Sequence, residues 1–181
     1  SYSGQEGEVV NAIKKMMQHY QFDDIHVDKY VNIVGGIVGN QPGKTLVLDG
    51  HIDTVPVNEE KWSRNPYGGD IDDGKIYGRG TTDMKGAVAA MISAVGFFGQ
   101  DNQRNFAGKI YVACIVHEEC FEGIAARLVS ERYKPDYVII GEASELNLKI
   151  GQRGRAEIVV ETFGKPAHSA NPQAGINAVY K

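Results

Sequence analysis

The 181-residue sequence predicts an α/β protein, a mostly parallel mixed sheet flanked by helices. Three observations lead to that expectation. Apolar runs over residues 45–49, 109–116 and 136–140 lack polar alternation, the pattern of strands covered on both faces. Segments of helical periodicity separate them, as in a sheet built through helical crossovers. Finally, acidic or histidine clusters around His51, Asp83, Glu118 and Glu142 each lie just beyond a strand. Such sheets bind ligands beyond the carboxyl ends of their strands, so one shared site is the economical reading.

Taken in order, the elements are justified as follows. Val9, Ile13, Met16, Met17 and Tyr20 recur at helical spacing with polar residues between them, so the first element is an amphipathic helix whose methionines belong to the core. Strands are expected over 25–28 and 31–38, with Gly35 and Gly36 marking a bulge or bend. The turn signal Asn40-Gln41-Pro42-Gly43 then leads into the strand over 45–49. A long loop carrying Trp62, Pro66 and the Gly68-Gly69 pair precedes a short strand over 75–77. Beyond Gly78-Arg79-Gly80 the period turns helical, with Val88, Met91, Ile92 and Val95 on one face. The strand over 109–116 ends at His117-Glu118-Glu119, residues 122–132 read as a helix, and the strand over 136–140 ends at Gly141-Glu142-Ala143. From Arg155 to Thr162 polar and apolar residues alternate, as in a strand with one wet face. A domain boundary is therefore placed near Gly151, giving one domain over 1–150 and the start of a smaller α+β domain over 151–181.

Bulk properties exclude several classes. With 42% hydrophobic and 23% charged residues the chain can bury a core. A net charge of -4, a pI near 5.7 and the absence of any dense Lys/Arg run leave no electrostatic footprint for nucleic acid or an anionic membrane. No apolar stretch approaches the roughly 20 residues of a membrane helix, and residues 1–10 lack the basic start and apolar run of a signal peptide. A soluble, cytoplasmic protein is expected. Cys114 and Cys120 are too few for a disulfide framework and are not spaced as zinc ligands, so both are expected to be buried thiols.

The clusters point to metal chemistry. His51 and Asp53 stand two apart at a strand end and share a face, as a ligand and the carboxylate steadying its other ring nitrogen require. His51, Asp83, Glu119 and Glu142 offer one imidazole and three carboxylates, a set that suits Zn2+, with Co2+ or Mn2+ as substitutes. Two cations about 3.5 to 4 Å apart need a bridging carboxylate, and Asp83 is the natural candidate. Glu118 and Glu119 do not easily share one role; if the first stays free of metal it can shuttle protons while its neighbour binds. Such a metal lowers the pKa of bound water from about 15.7 to about 7.

Blander readings compete. Asp83 could serve only as a carboxylate at a helix N-terminus, and the Glu118–Glu119 pair as a solvated edge, although two acids ending an apolar strand are poorly placed for that. A thiol nucleophile at Cys120 lacks an identifiable orienting group. Gly43-Lys44-Thr45 is not a phosphate loop, because Val38 occupies the first glycine position, and Phe121 stands where a zincin motif needs its second histidine.

The segments Gly50-His51-Ile52-Asp53-Thr54-Val55-Pro56, Gly78 to Gly86, His117-Glu118-Glu119 and Gly141-Glu142-Ala143 resemble the co-catalytic zinc family of acetylornithine deacetylase, succinyl-diaminopimelate desuccinylase, aminoacylase and carboxypeptidase G. The resemblance implies a zinc-peptidase-like catalytic domain that hydrolyses an amide bond of an N-acyl amino acid or short peptide with metal-activated water. It also implies that His51, Asp83 and Glu142 hold one zinc ion while Asp83 and Glu119 help to hold a second. Asp53 would orient His51, and Glu118 would be the general base. Gly164-Lys165-Pro166-Ala167-His168-Ser169-Ala170-Asn171-Pro172, followed by Gly175-Ile176-Asn177-Ala178, is similar to the start of that family's lid or dimerisation domain. By that analogy His168 steadies the tetrahedral oxyanion, often in a neighbouring subunit's site, and the complete protein is a homodimer through the lid.

Two departures qualify the likeness. Family members carry a further metal-binding histidine after the lid, whereas this sequence ends at Lys181, and His19, His26 and His117 are not obvious replacements. The expectation is thus an N-terminal portion whose catalytic domain lacks its C-terminal part, inactive or weakly active alone. The family pattern after the acidic pair usually contains glycine, whereas Cys120-Phe121-Glu122-Gly123 follows here. Arg153 and Arg155 read equally as carboxylate-binding residues or as solvated charges. The alternatives carried forward are a di-metal phosphoesterase and a non-catalytic binding domain.

Overall fold

Helix α1 (Gly7–His19) follows the apolar stripe, burying Val10, Ile13 and Met17 with Val9, Met16 and Tyr20 packed beside them. The computed structural model describes residues 1–121, 123–154 and 156–180. Strands β1 (Asp24–Val27), β2 (Ile33–Val38) and β3 (Gln41–His51) come next, then the hairpin of β4 (Asp70–Asp72) and β5 (Lys75–Tyr77). Helix α2 (Lys85–Asp101), β6 (Ala107–Ile115), the short α3 (Glu118–Phe121), α4 (Ile124–Tyr133) and β7 (Tyr137–Ile140) complete the first part of the chain. No helix among the described residues is long and apolar enough to cross a membrane.

The main sheet has five strands in the order β1-β2-β6-β3-β7. β3 pairs in parallel with β6 and with β7, while β2 is antiparallel to both β1 and β6, so four of the five strands run one way and β2 is reversed. Parallel strands of one sheet need crossovers, which α2 supplies between the neighbours β3 and β6, and α4 between β6 and β7 on the far side of β3. A Cβ at Gly35 would strike Met17 and Phe22, and one at Gly50 would meet Met84 and, on α2, Val88 and Met91. On the opposite face a Cβ at Gly36 would run into the Tyr111 ring, which packs on Tyr133 of α4 at 4.5 Å between centroids. Successive strand residues face opposite sides, so α1 and α2 cover one face and α4 the other. Ile33, Ile37, Ile92, Val112, Cys114 and Val116 lie fully buried among these layers.

Several expectations are corrected. Gly35 and Gly36 form no bulge; they pair regularly with Val112 and Tyr111, and glycine serves there to admit neighbouring side chains. The ladder irregularity lies instead in β3, between Gln41 and Thr45, inside the segment expected as a turn. The long loop contains the β4–β5 hairpin, closed through Asp73 and Gly74, both at positive φ. The helix expected over 122–132 starts at Ile124, after left-handed Gly123, and Glu122 lies outside the described residues. Cys120 is exposed, because it stands on the short α3 beyond the end of β6, and only Cys114 is buried. Finally, the apolar strand β7 is the sheet's edge, and its four residues are 51–62% exposed.

The chain divides into two compact units, Ser1–Leu146 and Asn147–Lys181. In the second, Lys165 and Ile176 exchange two backbone hydrogen bonds of 2.9 Å, and single 3-10 turns occur at Pro172–Ala174 and Ala178–Tyr180. Residues 156–162 form no strand, and Arg155 lies outside the described residues. Alternation alone does not make a strand; its backbone groups need a ladder partner, and among the described residues of this unit there is only that one bridge.

Candidate metal centre

Three parallel strands deliver their ends to one rim. His51 is in register with Ile115 and Asp49 with Ile140, and the ladder continues as Ile52 N–H donates to Ile115 C=O at 2.8 Å and Gly141 N–H to Asp49 C=O at 2.9 Å. His51, the corner at 117–119 and Glu142 therefore leave the sheet side by side. Asp83 arrives from the loop before α2, next to fully buried Met84. The Met84 Cε would lie 2.6 Å from a Cβ at Gly50 and 3.1 Å from one at Gly141, so both glycines make room for this side chain against the strand ends. The Asp83–Met84 peptide is cis.

His51 is 3% exposed and both of its nitrogens face oxygen. Nδ1 donates to the Asp53 carbonyl at 3.0 Å, while Nε2 lies 2.7 Å from Asp83 Oδ1 and 3.5 Å from Glu142 Oε1. Ligand atoms of His51, Asp83 and Glu119 all lie within 4.8 Å of one another. An imidazole nitrogen and carboxylate oxygens converging at this spacing fit one divalent cation, so the residues present suit a metal. Asp83 and Glu142, with side chains 57% and 47% exposed, form the open rim above the buried histidine.

The electrostatics match this arrangement. Burial alone would lower the His51 imidazole, but hydrogen bonding to Asp53 and Asp83 and the charges of Glu142 and Glu118 outweigh it and raise its pKa to about 9. A cation bound at Nε2 would displace a proton held there. Burial raises the carboxyls of Glu118 and Glu142, aided for Glu118 by Glu119 and Glu142 and for Glu142 by Asp83, against the opposing effect of His51. Asp53 goes the other way. Burial would raise it, yet hydrogen bonds from His51, the Ser3 hydroxyl and the Glu119 and Glu118 backbone lower it to about 2.

Among the residues expected from sequence, the structure brings together His51, Asp83 and Glu119, with Glu142 beside His51. Asp53 meets His51 mainly through its carbonyl; its carboxylate Oδ1 stands 3.4 Å from Nδ1 and also accepts the Glu118 N–H. His168 lies in the second unit, where its Nδ1 accepts the Ala170 N–H at 3.2 Å within a turn. Sequence reasoning missed Asp49, whose carboxyl burial and Glu142 raise to about 6. Its signal was available, since it precedes His51 by two on the same strand face. Lys85 and Ser1 were also missed; Lys85 Nζ and Ser1 Oγ both donate to the Ile52 carbonyl, at 3.2 and 2.8 Å, and tie down the Ile52–Asp53 peptide.

Residues 47–181 match the profile of Peptidase family M20/M25/M40. The protein YgeY of Escherichia coli is 34% identical over 184 aligned positions, covering 100% of this chain and 45% of its own length. Acetylornithine deacetylase of Vibrio vulnificus is 38% identical over 136 positions, covering 74% of this chain and 35% of its own. The chain thus spans less than half the length of these curated relatives. Among solved structures, an M20 family metallo-carboxypeptidase from Sulfolobus solfataricus aligns with a TM-score of 0.67 at 23% identity, over 78% of this chain and 34% of that one. A tripeptidase from Staphylococcus aureus aligns with a TM-score of 0.61 at 20% identity, over 99% and 50%. The structural likenesses show the fold.

Proposed function

The chain belongs to peptidase family M20/M25/M40, and from that premise we propose that it is the cation-binding part of a hydrolase cleaving an amide bond in an N-acyl amino acid or short peptide. The observation that carries this reading is the convergence of His51, Asp83 and Glu119 within 4.8 Å. In this reading His51, Asp83 and Glu142 hold one Zn2+, and Asp83 and Glu119 contribute to a second. The bound ions supply Lewis acidity toward water and the scissile carbonyl. Glu118, its carboxyl raised by burial, takes a proton from the attacking water and passes it to the leaving amine. Asp53 holds the Nδ1 side of His51 so that Nε2 points at the ligand gap. Residues 151–181 are read as the beginning of a lid and dimerisation domain, with His168 in the role of steadying the oxyanion.

The N-acyl amino acid class is supported by the acetylornithine deacetylases among the relatives. Zinc titration by calorimetry with elemental analysis tests the centre. The wild-type chain is expected to bind at least one ion and Asp83→Ala to lose it; no binding by wild type sinks the proposal. A panel of N-acyl amino acids against phosphate esters, run on a form that includes the length found in the relatives, separates amide hydrolysis from the di-metal phosphoesterase alternative.

A further inference from the structure

Two buried carboxylates from distant parts of the chain hold three consecutive backbone N–H groups at the acidic corner. His117 N–H donates to Glu6 Oε1 at 3.3 Å, Glu118 N–H to Asp53 Oδ1 at 3.2 Å and Glu119 N–H to Asp53 Oδ2 at 3.2 Å. Glu6 is 4% and Asp53 0% exposed. Helix α3 has only four residues, so its leading amides lack helical acceptors and need partners from outside. His117, with φ of 59°, turns the chain out of β6 so that successive N–H groups converge as in an anion-binding nest. Here the anion is the protein's own. The Ser3 hydroxyl closes the arrangement by donating to Asp53 Oδ2, so residues just before α1 reach the site through Asp53.

We propose that Glu6 and Asp53 are positioning residues that grip the amides of 117–119 and so fix the directions in which the Glu118 and Glu119 side chains leave the corner. The inference rests on the roles given above to Glu118 and Glu119, and it extends the part of Asp53 beyond its histidine neighbour. Without the grip, the backbone of 117–119 is held, among the described residues, only by the Cys120 and Phe121 N–H groups on the His117 carbonyl, and the side chain meant for proton transfer can exchange places with the one meant for the cation. Charge-assisted bonds to N–H groups are strong enough to prevent this.

The test uses the 15N-labelled, metal-free 181-residue chain and reads amide exchange at His117, Glu118 and Glu119, with the β6 amides as a reference for global opening. Glu6→Ala is expected to speed exchange at His117 about tenfold, and Glu6→Gln, which keeps an acceptor oxygen, to restore protection. Asp53→Asn keeps one acceptor of two and should release one of the following two amides. Zinc affinity should fall about 10- to 100-fold in Glu6→Ala and Asp53→Asn, and recover in Glu6→Gln. Unchanged exchange at all three amides overturns the inference, as does an affinity loss that follows global destabilisation and is not rescued by Glu6→Gln. Because the exchange measurement needs no cation, a wild-type chain that fails to bind zinc refutes the proposed function while the exchange result still decides the grip.

Discussion

At His51, hydrogen bonding outweighs burial, and this gives the metal-free chain a defined pH response. The imidazole is raised from 6.5 to about 9, so its contribution is fully present below pH 6.5 and is lost as pH rises through about 9. Asp53 is depressed from 3.8 to about 2, so its contribution is present above pH 3.8 and is lost as pH falls through about 2. The shifts correspond to on the order of 3 kcal/mol at His51 and 2 kcal/mol at Asp53, and because both include the His51–Asp53 contact the two do not add. Urea midpoints measured across pH should therefore fall on both sides of a window between about 4 and 6.5, and Asp53→Asn should flatten the acid limb. For Glu118→Gln, in a form with measurable turnover, zinc content is expected to persist while kcat drops about 10²- to 10⁴-fold; a near-normal rate would refute its role as base. The clustered residues were legible because His51, Glu119 and Glu142 stand at or just past strand ends and Asp83 just before α2. Ser3 and Glu6 were not, since no local spacing announces a contact such as that from Glu6 to His117, which spans 111 residues.

Among the elements, one fully buried side chain ties three together. Asn32 Nδ2 donates to Asp28 Oδ2 at 2.7 Å and to the Ala125 carbonyl of α4 at 3.0 Å, while its Oδ1 accepts the Val116 N–H at 2.9 Å just before the acidic corner. Asn32→Ala would strand those partners inside the protein and is expected to cost about 2 to 4 kcal/mol, read as a shift of the urea midpoint. Element type was readable where the period was long and clear, as in α1 and α2. It was ambiguous where one residue type serves two purposes. Gly35 and Gly36 look like a bend in sequence because nothing local distinguishes a glycine needed for its backbone from one needed for its missing side chain. The β4–β5 hairpin carried its own sign in Asp73-Gly74, hidden by strands of only three residues.

On the scale of the whole molecule, the apolar run over 136–140 was read as a strand with both faces covered, yet Tyr137, Val138, Ile139 and Ile140 stand exposed at the open edge of the sheet. The pattern reports what a strand is suited to bury, and what lies against it is settled by the rest of the polypeptide. An apolar edge of this kind is suited to pair with a further strand, whether of the same polypeptide or of another. Ile139→Lys should reduce concentration-dependent association of this chain in sedimentation velocity while changing stability by less than about 1 kcal/mol; undiminished association would show that another surface is responsible. The alternation expected to make a strand up to Thr162 forms none over residues 156–162, because alternation specifies a face and supplies no ladder partner.

β3 lies between two parallel neighbours, so the histidine at its end stands on a strand held by ladders on both sides, while Asp83 and Glu142 reach in from exposed loops. Under the proposed function, selection for tighter or different ion capture would then leave that strand alone. Adaptive substitutions should accumulate in the loop before α2 and after β7, where small changes in reach and rigidity retune selectivity without disturbing the strand that anchors the imidazole.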